Sequence, residues 1–285
     1  MKGFLRKNRA ELLFLFPLVA YLAAFTLWPV IHAMIMAFTG AQDGVFPSTV
    51  NFMRIMGHHR FREAVFNTVF VTGAALTLEF LFGLGLALLM LERFRGRRFF
   101  RALMLLPLGV PTIVVAANMR FLFDTNGFLN EMLYRLQAVG SPVNWLGGGM
   151  LTLMAIVTAD MWKVTPLVML IMLAGLESIP KEILEAAEAD GASYLKRLRF
   201  IVLPLIKPFI TMALIVRGID AFRIFELPLA LTGQAVPFVA TYSFFEYRQY
   251  NNPYTSAAAA TVLTLIIAAA IAVYLKLARQ EKGAW

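Results

Sequence analysis

Six apolar stretches, at roughly 12–38, 65–91, 99–123, 150–176, 204–231 and 255–275, dictate the kind of fold open to this chain. Each is long enough to cross a bilayer as a helix, since about 20 apolar residues span a hydrocarbon core of about 30 Å. A backbone in lipid must satisfy its polar groups internally, so the spans are helical and the predicted class is all-α and polytopic, with about six transmembrane helices. The fifth stretch is the least clean, because Arg217, Asp220, Arg223 and Glu226 in its second half make it emerge or line a cavity there. No repeat and no room for a soluble domain lie between the spans. The expected layout is an N-terminal tail over 1–11, one membrane domain over 12–276 and a C-terminal tail over 277–285.

Charge sets an expected orientation. Only 15% of the residues are charged against 60% hydrophobic, and the net charge of +9 sits in clusters that punctuate the apolar runs, so it reports membrane topology and not nucleic-acid binding. Most Lys and Arg fall on one side: Lys2, Arg6, Lys7 and Arg9; Arg93, Arg95, Arg97, Arg98 and Arg101; Lys181, Lys196, Arg197, Arg199 and Lys207; Lys276, Arg279 and Lys282. That side is predicted to be cytoplasmic, with both termini on it. The first apolar run is much longer than a cleavable signal core of about 7–15 residues, which predicts a retained span. With no cysteine, the chain has no disulfide framework, thiolate chemistry or Cys-ligated metal; His32, His58 and His59 are too scattered for a metal centre.

Between the fourth and fifth runs, residues 177–203 form a polar loop on the predicted cytoplasmic side. Ser178 is placed to cap a helix with Pro180 in its first turn and Glu182 and Glu185 near its positive end, and Gly191 can end that helix in a left-handed conformation. A second short helix is expected from about Ser193 to Pro204, where a donor is lost. Ala186, Ala187, Ala189, Gly191 and Ala192 are small enough for another backbone to approach, and Ile183 and Leu184 add an apolar edge. A helix lying on anionic headgroups would need Lys and Arg where this one has Glu182, Glu185, Glu188 and Asp190. The loop reads as a protein docking surface.

Inside the apolar runs, Gly73, Gly83 and Gly85 predict close helix packing, and the costly carboxylate of Glu79 is expected to face the bundle or a partner subunit. Pro107 and Pro111 predict a bent third span. Asp160 and Lys163 are three residues apart on one helix face and can neutralise each other. The 140–149 segment reads as a loop from its Gly, Pro and Ser, with Trp145 at the outer interface.

Glu185, Ala186, Ala187, Asp190, Gly191 and Ala192, followed by Ile201, Leu203, Pro204 and Pro208, resemble the EAA motif of permease subunits in binding-protein-dependent ABC importers. Leu198 stands where many members have an aromatic residue. The flanks resemble the family too: Asn67 to Leu91; Arg101 with Pro107, Pro111, Gly127 and Asn130; Leu214 to Thr241; and the final helix. Met119 or Arg120 stands near an expected Trp, Glu226 replaces an Asp, and residues 233–237 rewrite a Gly-Gly-Pro.

The resemblance implies a type I importer permease fold of the maltose, trehalose and glycerol 3-phosphate group in a bacterial or archaeal cytoplasmic membrane. It further implies that Glu185, Ala186, Ala187, Asp190, Gly191 and Ala192 couple to a cytoplasmic ATPase. The implied partners are a second homologous permease, two ATPase subunits and an external solute-binding protein. No phosphate-cradling G-x-x-x-x-G-K-[ST] occurs, so ATP and Mg are expected on the ATPase subunits, with no cofactor and no catalytic residue in this chain. Glu79, Asn118, Asp160, Arg223 and Glu226 are the candidate path residues. A di- or oligosaccharide is the expected cargo and glycerol 3-phosphate the alternative, given Arg120, Arg217 and Arg223. An ion-coupled secondary transporter or channel, with Glu79 and the Asp160 and Lys163 pair as relays, is the alternative of another class.

Overall fold

In the computed structural model the described backbone covers residues 9–92 and 94–280, and the described side chains cover 14–92 and 94–276. Among these residues every regular element is helical. Lys2, Arg6, Lys7, Arg93 and Lys282, and most of the two expected tails, lie outside them; the last helix runs on to Gln280, past the expected boundary at 276.

Four helical spans are continuous: Phe14–Ala37, His59–Leu91, Gly149–Glu177 and Pro253–Lys276. The first joins α1 (Arg9–Leu22) to α2 (Trp28–Ala37) through a π-helical turn over Ala23–Leu27. The third and fifth spans are bent pairs. In the third, α5 (Arg97–Gly109) meets α6 (Thr112–Leu122) at 95°, and the expected bend has a clear cause. Pro111 forces Val110 out of the helical region, to φ −83° and ψ 128°, and then serves as the N-cap of α6.

The fifth span departs from expectation at both ends. Pro204 does not stop the helix: a π turn over Leu198–Val202 absorbs its missing donor, and α11 (Leu203–Leu205) continues to a 66° bend at Ile206, after which α12 runs Lys207–Phe222. Pro208 then occupies the first turn of α12, where no donor is needed. The apolar run does not continue to 231 as one span. It breaks after Phe222, and α13 (Glu226–Thr232) packs against α6.

Chain contacts divide the molecule into two compact units. The first comprises the described residues up to His59 together with Tyr242–Thr264. Within it, Asn51 at the start of α3 (Val50–Gly57) donates to the carbonyls of Ala37 at 3.0 Å and Thr39 at 2.7 Å, fastening the end of the first span. Ser243 of α14 (Val239–Arg248) and Ser256 of α15 (Pro253–Gln280) exchange hydroxyl-to-carbonyl bonds of 3.0 and 2.8 Å.

The second unit, the described residues of Arg60–Thr241 and those from Leu265 onward, is built around two spans. These are α4 (His59–Leu91) and α8 (Gly149–Glu177). Their close approach explains Gly83, where a Cβ would lie 2.8 Å from Val168 Cγ1 and 3.2 Å from the backbone nitrogen of Met169. Gly73 and Gly85 face open space among the described residues, so within these residues it is Gly83 of the three that serves packing. Gly175, unmarked in the sequence reading, does the same against Phe209, 2.8 Å away. One apolar cluster gathers Val71, Val115, Ile156, Leu227 and Phe238; a second gathers Ala87, Met169, Met172, Val202 and Ile206.

Asn130, in α7 (Phe128–Arg135), organises the loop before the fourth span. Its Nδ2 donates to the carbonyls of Thr125 at 2.9 Å and Val143 at 2.8 Å, while its Oδ1 accepts from Val143 N at 3.0 Å and Trp145 Nε1 at 3.1 Å. The Gly127 and Asn130 turn is therefore a loop anchor, and Trp145 is tied into it.

Candidate functional site

The polar loop begins where α8 ends. Ser178 does not cap the following helix as expected. It is the C-cap of α8, and its hydroxyl donates back to Gly175 O at 2.7 Å. Pro180 takes the N-cap position of α9 (Lys181–Ala189) with no side-chain capping bond, while Glu182 supplies a carboxylate to its first turn.

The end of α9 follows the expectation in detail. Gly191 sits at φ +75°, its N–H reaches Glu188 O at 3.0 Å, and Ala192 N–H reaches Ala187 O at 3.0 Å. These two bonds form a Schellman closure, which turns the chain sharply and satisfies two terminal carbonyls. Ser193 then opens α10 (Tyr194–Arg197), and Arg197 Nη1 contacts Glu188 Oε2 at 2.7 Å, so the two short helices are tied across the turn.

This loop presents two faces. Ala187 is buried, and Ile179, Leu184 and Leu198 pack on the cluster that holds Met172 and Val202. Glu185, Ala186, Asp190 and Gly191 are exposed, and Ala192 is half-buried. The expected apolar edge is thus split, Ile183 remaining exposed while Leu184 turns inward. What faces outward is a short helix end of small residues and carboxylates, resting on a firm apolar base that links the fourth and fifth spans.

The intramembrane charges form a different arrangement from the one expected. Asp160 and Lys163 form no direct ion pair. Arg217 of α12 instead collects the carboxylates: its Nε donates to Glu79 Oε2 at 2.7 Å, its Nη2 to Glu79 Oε1 at 2.9 Å and also to Asp160 Oδ2, and its Nη1 to Asp220 Oδ2 at 2.9 Å. Lys163 Nζ donates to Val110 O at 2.9 Å, the carbonyl freed at the bend of the third span. Pairing with Arg217 is stronger because a guanidinium can grip two carboxylates from separate helices at once, whereas the ammonium is a point charge better spent on a bare carbonyl.

Glu79 is fully buried, so its placement inside the bundle follows the expectation. The structure brings Glu79 and Asp160 together. Asn118, Arg223 and Glu226 are exposed, and no hydrogen bond or ion pair among the described residues joins them to that cluster. Arg217 and Asp220 were noted in the sequence as charges within the fifth run; an Arg at membrane depth beside two runs that each carry a carboxylate is the signal that pairs them.

Residues 79–280 match the protein family described as the inner membrane component of binding-protein-dependent transport systems. The chain belongs to that family. It is 35% identical over 281 residues, 96% of this chain and 95% of the relative, to the trehalose/maltose transport system permease protein MalF of Thermococcus litoralis. It is 32% identical over 234 residues, 80% and 74% of the two chains, to the trehalose transport system permease protein SugA of Mycobacterium tuberculosis. Among solved structures, a bacterial ABC transporter involved in the import of the acidic polysaccharide alginate superposes with a TM-score of 0.86, covering 98% of both chains at 21% identity, a likeness of fold.

As a transport-system membrane component, the chain is a multi-pass membrane protein with the importer permease fold. The ion-coupled alternative loses its basis, since both proposed relay carboxylates are held by Arg217 and the family is a binding-protein-dependent one. The transport component also carries a tie that the sequence did not mark. Arg97 and Arg101 of α5 both place Nη2 on Glu177 Oε1, at 2.9 and 2.8 Å, so the last residue of the fourth span is clasped to the third immediately before the polar loop. These pairs are partly exposed and each contributes little stability, but together they fix the direction in which the loop leaves the span.

Proposed function

We propose that this permease is the path-forming subunit of a saccharide importer whose energy arrives through α9. The carrying observation is the exposed small-residue end of α9, closed by Gly191 and seated through Leu184 on the core that joins the fourth and fifth spans. A partner surface pressing on Glu185, Ala186 and Asp190 displaces a body that cannot yield locally, because Arg197 ties it to α10 and Ala187 is packed beneath it. The excess of Lys and Arg on one side of the spans supports a cytoplasmic position for this end and for both termini.

In this reading two separate ATPase subunits supply ATP and Mg chemistry, and the chain itself holds no cofactor. Closure of the ATPases exchanges inward-facing and outward-facing cavities formed with a second homologous permease, a population shift driven by differential binding energy. An external binding protein delivers the cargo, as in the solved alginate transporter complexed with a pentasaccharide-bound periplasmic protein. Asn118, Arg223 and Glu226 are the exposed candidates for solute contact. Relatives named for trehalose and maltose support a di- or oligosaccharide. Glycerol 3-phosphate is the weaker alternative, because Arg217, one of three arginines suited to a phosphate, is already engaged by Glu79, Asp160 and Asp220.

The natural chain lacks cysteine, so Ala186→Cys offers a unique crosslinking site. Its expected product in native membranes is an adduct with the ATPase subunit; reaction with lipid-phase reagents alone would overturn the coupling role. Titration of the external binding protein against a sugar panel tests the cargo separately.

A further inference from the structure

The turn leading into α5 carries a charge surplus. Arg97 and Arg101 share a single oxygen of Glu177, and the Nε–H of each is shielded from solvent without an acceptor among the described residues. Arg95 and Arg98 are exposed and form no ion pair among the described residues. Aromatic rings stand between these cations: Phe99 is 68% exposed and Phe94 and Phe100 are also exposed, with ring centroids of 5.8 Å for Phe94 and Phe100 and 6.0 Å for Phe99 and Phe100.

In water this arrangement is doubly unfavourable, since like charges crowd together and three aromatic rings are wetted. A headgroup layer relieves both. Aromatic rings are at home at the level of the lipid glycerol, and a phosphate oxygen accepts from guanidinium groups in the geometry that arginine favours over lysine. The patch stands at one end of a bent span, where a helix that crosses a bilayer reaches the headgroup layer, and so meets lipid before it meets a soluble anion. Phosphate and exposed arginines are complementary in charge, and the acyl chains are complementary to Phe99.

We propose that residues 94–101 form a binding surface for an anionic phospholipid, whose phosphate is held by Arg95 and Arg98 with its upper acyl region against Phe99. Because Arg97 and Arg101 already brace Glu177 at the start of the polar loop, this lipid stands beside the route by which the loop is connected to the third span. The surface itself depends only on the chain spanning a membrane, and its test does not depend on the coupling role of α9.

The test uses the whole transport complex in nanodiscs containing equal phosphatidylcholine and phosphatidylglycerol, released into the gas phase for native mass spectrometry. The expected result is preferential retention of phosphatidylglycerol, with the preference falling roughly tenfold to thirtyfold in R95Q/R98Q, on the basis of the attraction per basic residue at an anionic surface. The control R135Q, which removes an exposed arginine paired with Glu131, leaves the preference unchanged. Equal retention of the two lipids by the natural protein, or an undiminished preference in R95Q/R98Q, overturns the proposal. Should the variant fail to assemble, the natural complex decides alone: the preference declines with added salt if the surface binds through charge, and a salt-independent preference overturns it.

Discussion

Arg217 grips Glu79 through a two-pronged contact, Nε to Oε2 at 2.7 Å and Nη2 to Oε1 at 2.9 Å, between the second and fifth spans. Both side chains are almost wholly removed from solvent, and the same guanidinium reaches Asp160 in the fourth span. One cation therefore staples three spans together. Removing one partner of a buried charge pair leaves the other charge uncompensated.

R217M is accordingly expected to destabilise the protein by about 3–5 kcal/mol, while the triple variant E79M/D160L/R217M recovers most of that loss. Thermal unfolding of the purified complex in detergent checks this. A single R217M variant as stable as the natural protein would show that the cluster is not structural.

Gly191 lies at φ +75° with open space around the position of a Cβ, so a substitution there meets backbone strain and no steric neighbour. G191V is expected to cost about 1–2 kcal/mol in the loop and to uncouple ATP hydrolysis from uptake in proteoliposomes. G191N should retain most transport, because Asn tolerates the left-handed region. Equal transport by both variants would remove the backbone geometry from the explanation.

For Gly83, the obstacle is Val168. G83A should lower stability by about 1–3 kcal/mol, and V168A in the same chain should restore part of it by freeing the space that Val168 Cγ1 occupies. G73A, which meets nothing among the described residues, should leave the unfolding temperature nearly unchanged. Scanning calorimetry of the three variants beside the natural protein separates a packing contact from a general intolerance of glycine replacement.

Asn130 is a test of loop anchoring. N130A leaves the indole N–H of Trp145 and the carbonyl of Val143 without their partner and should cost about 2 kcal/mol. The measurable sign is faster protease cleavage within residues 136–147, together with a shift of Trp145 emission in a variant whose other tryptophans are replaced by Phe.

The small-residue motif, the apolar run lengths and the basic punctuation were legible because each has a local physical cause: helix length must match the bilayer, a left-handed residue must end α9, and a proline must disturb a backbone ladder. Helix ends chosen by competition were less so. Ser178 was an equally good cap for either neighbouring helix, and the carbonyl of Gly175 won it. Pro204 removed a donor as expected, but a π turn accommodated the loss and moved the bend to Ile206.

The sequence by itself determined a helical membrane chain with a polar, small-residue loop closed by Gly191 between the fourth and fifth apolar runs, since these follow from hydrophobicity, charge and backbone conformation over a few adjacent residues. Only the tertiary structure decided which charges meet. Asp160 is three residues from Lys163 and 57 from Arg217, yet it bonds to the more distant residue. The reason is that an ion pair in a low-dielectric interior is selected by which helix faces are packed together and how many donors can be aimed at once, and neither quantity is written in the spacing along the chain.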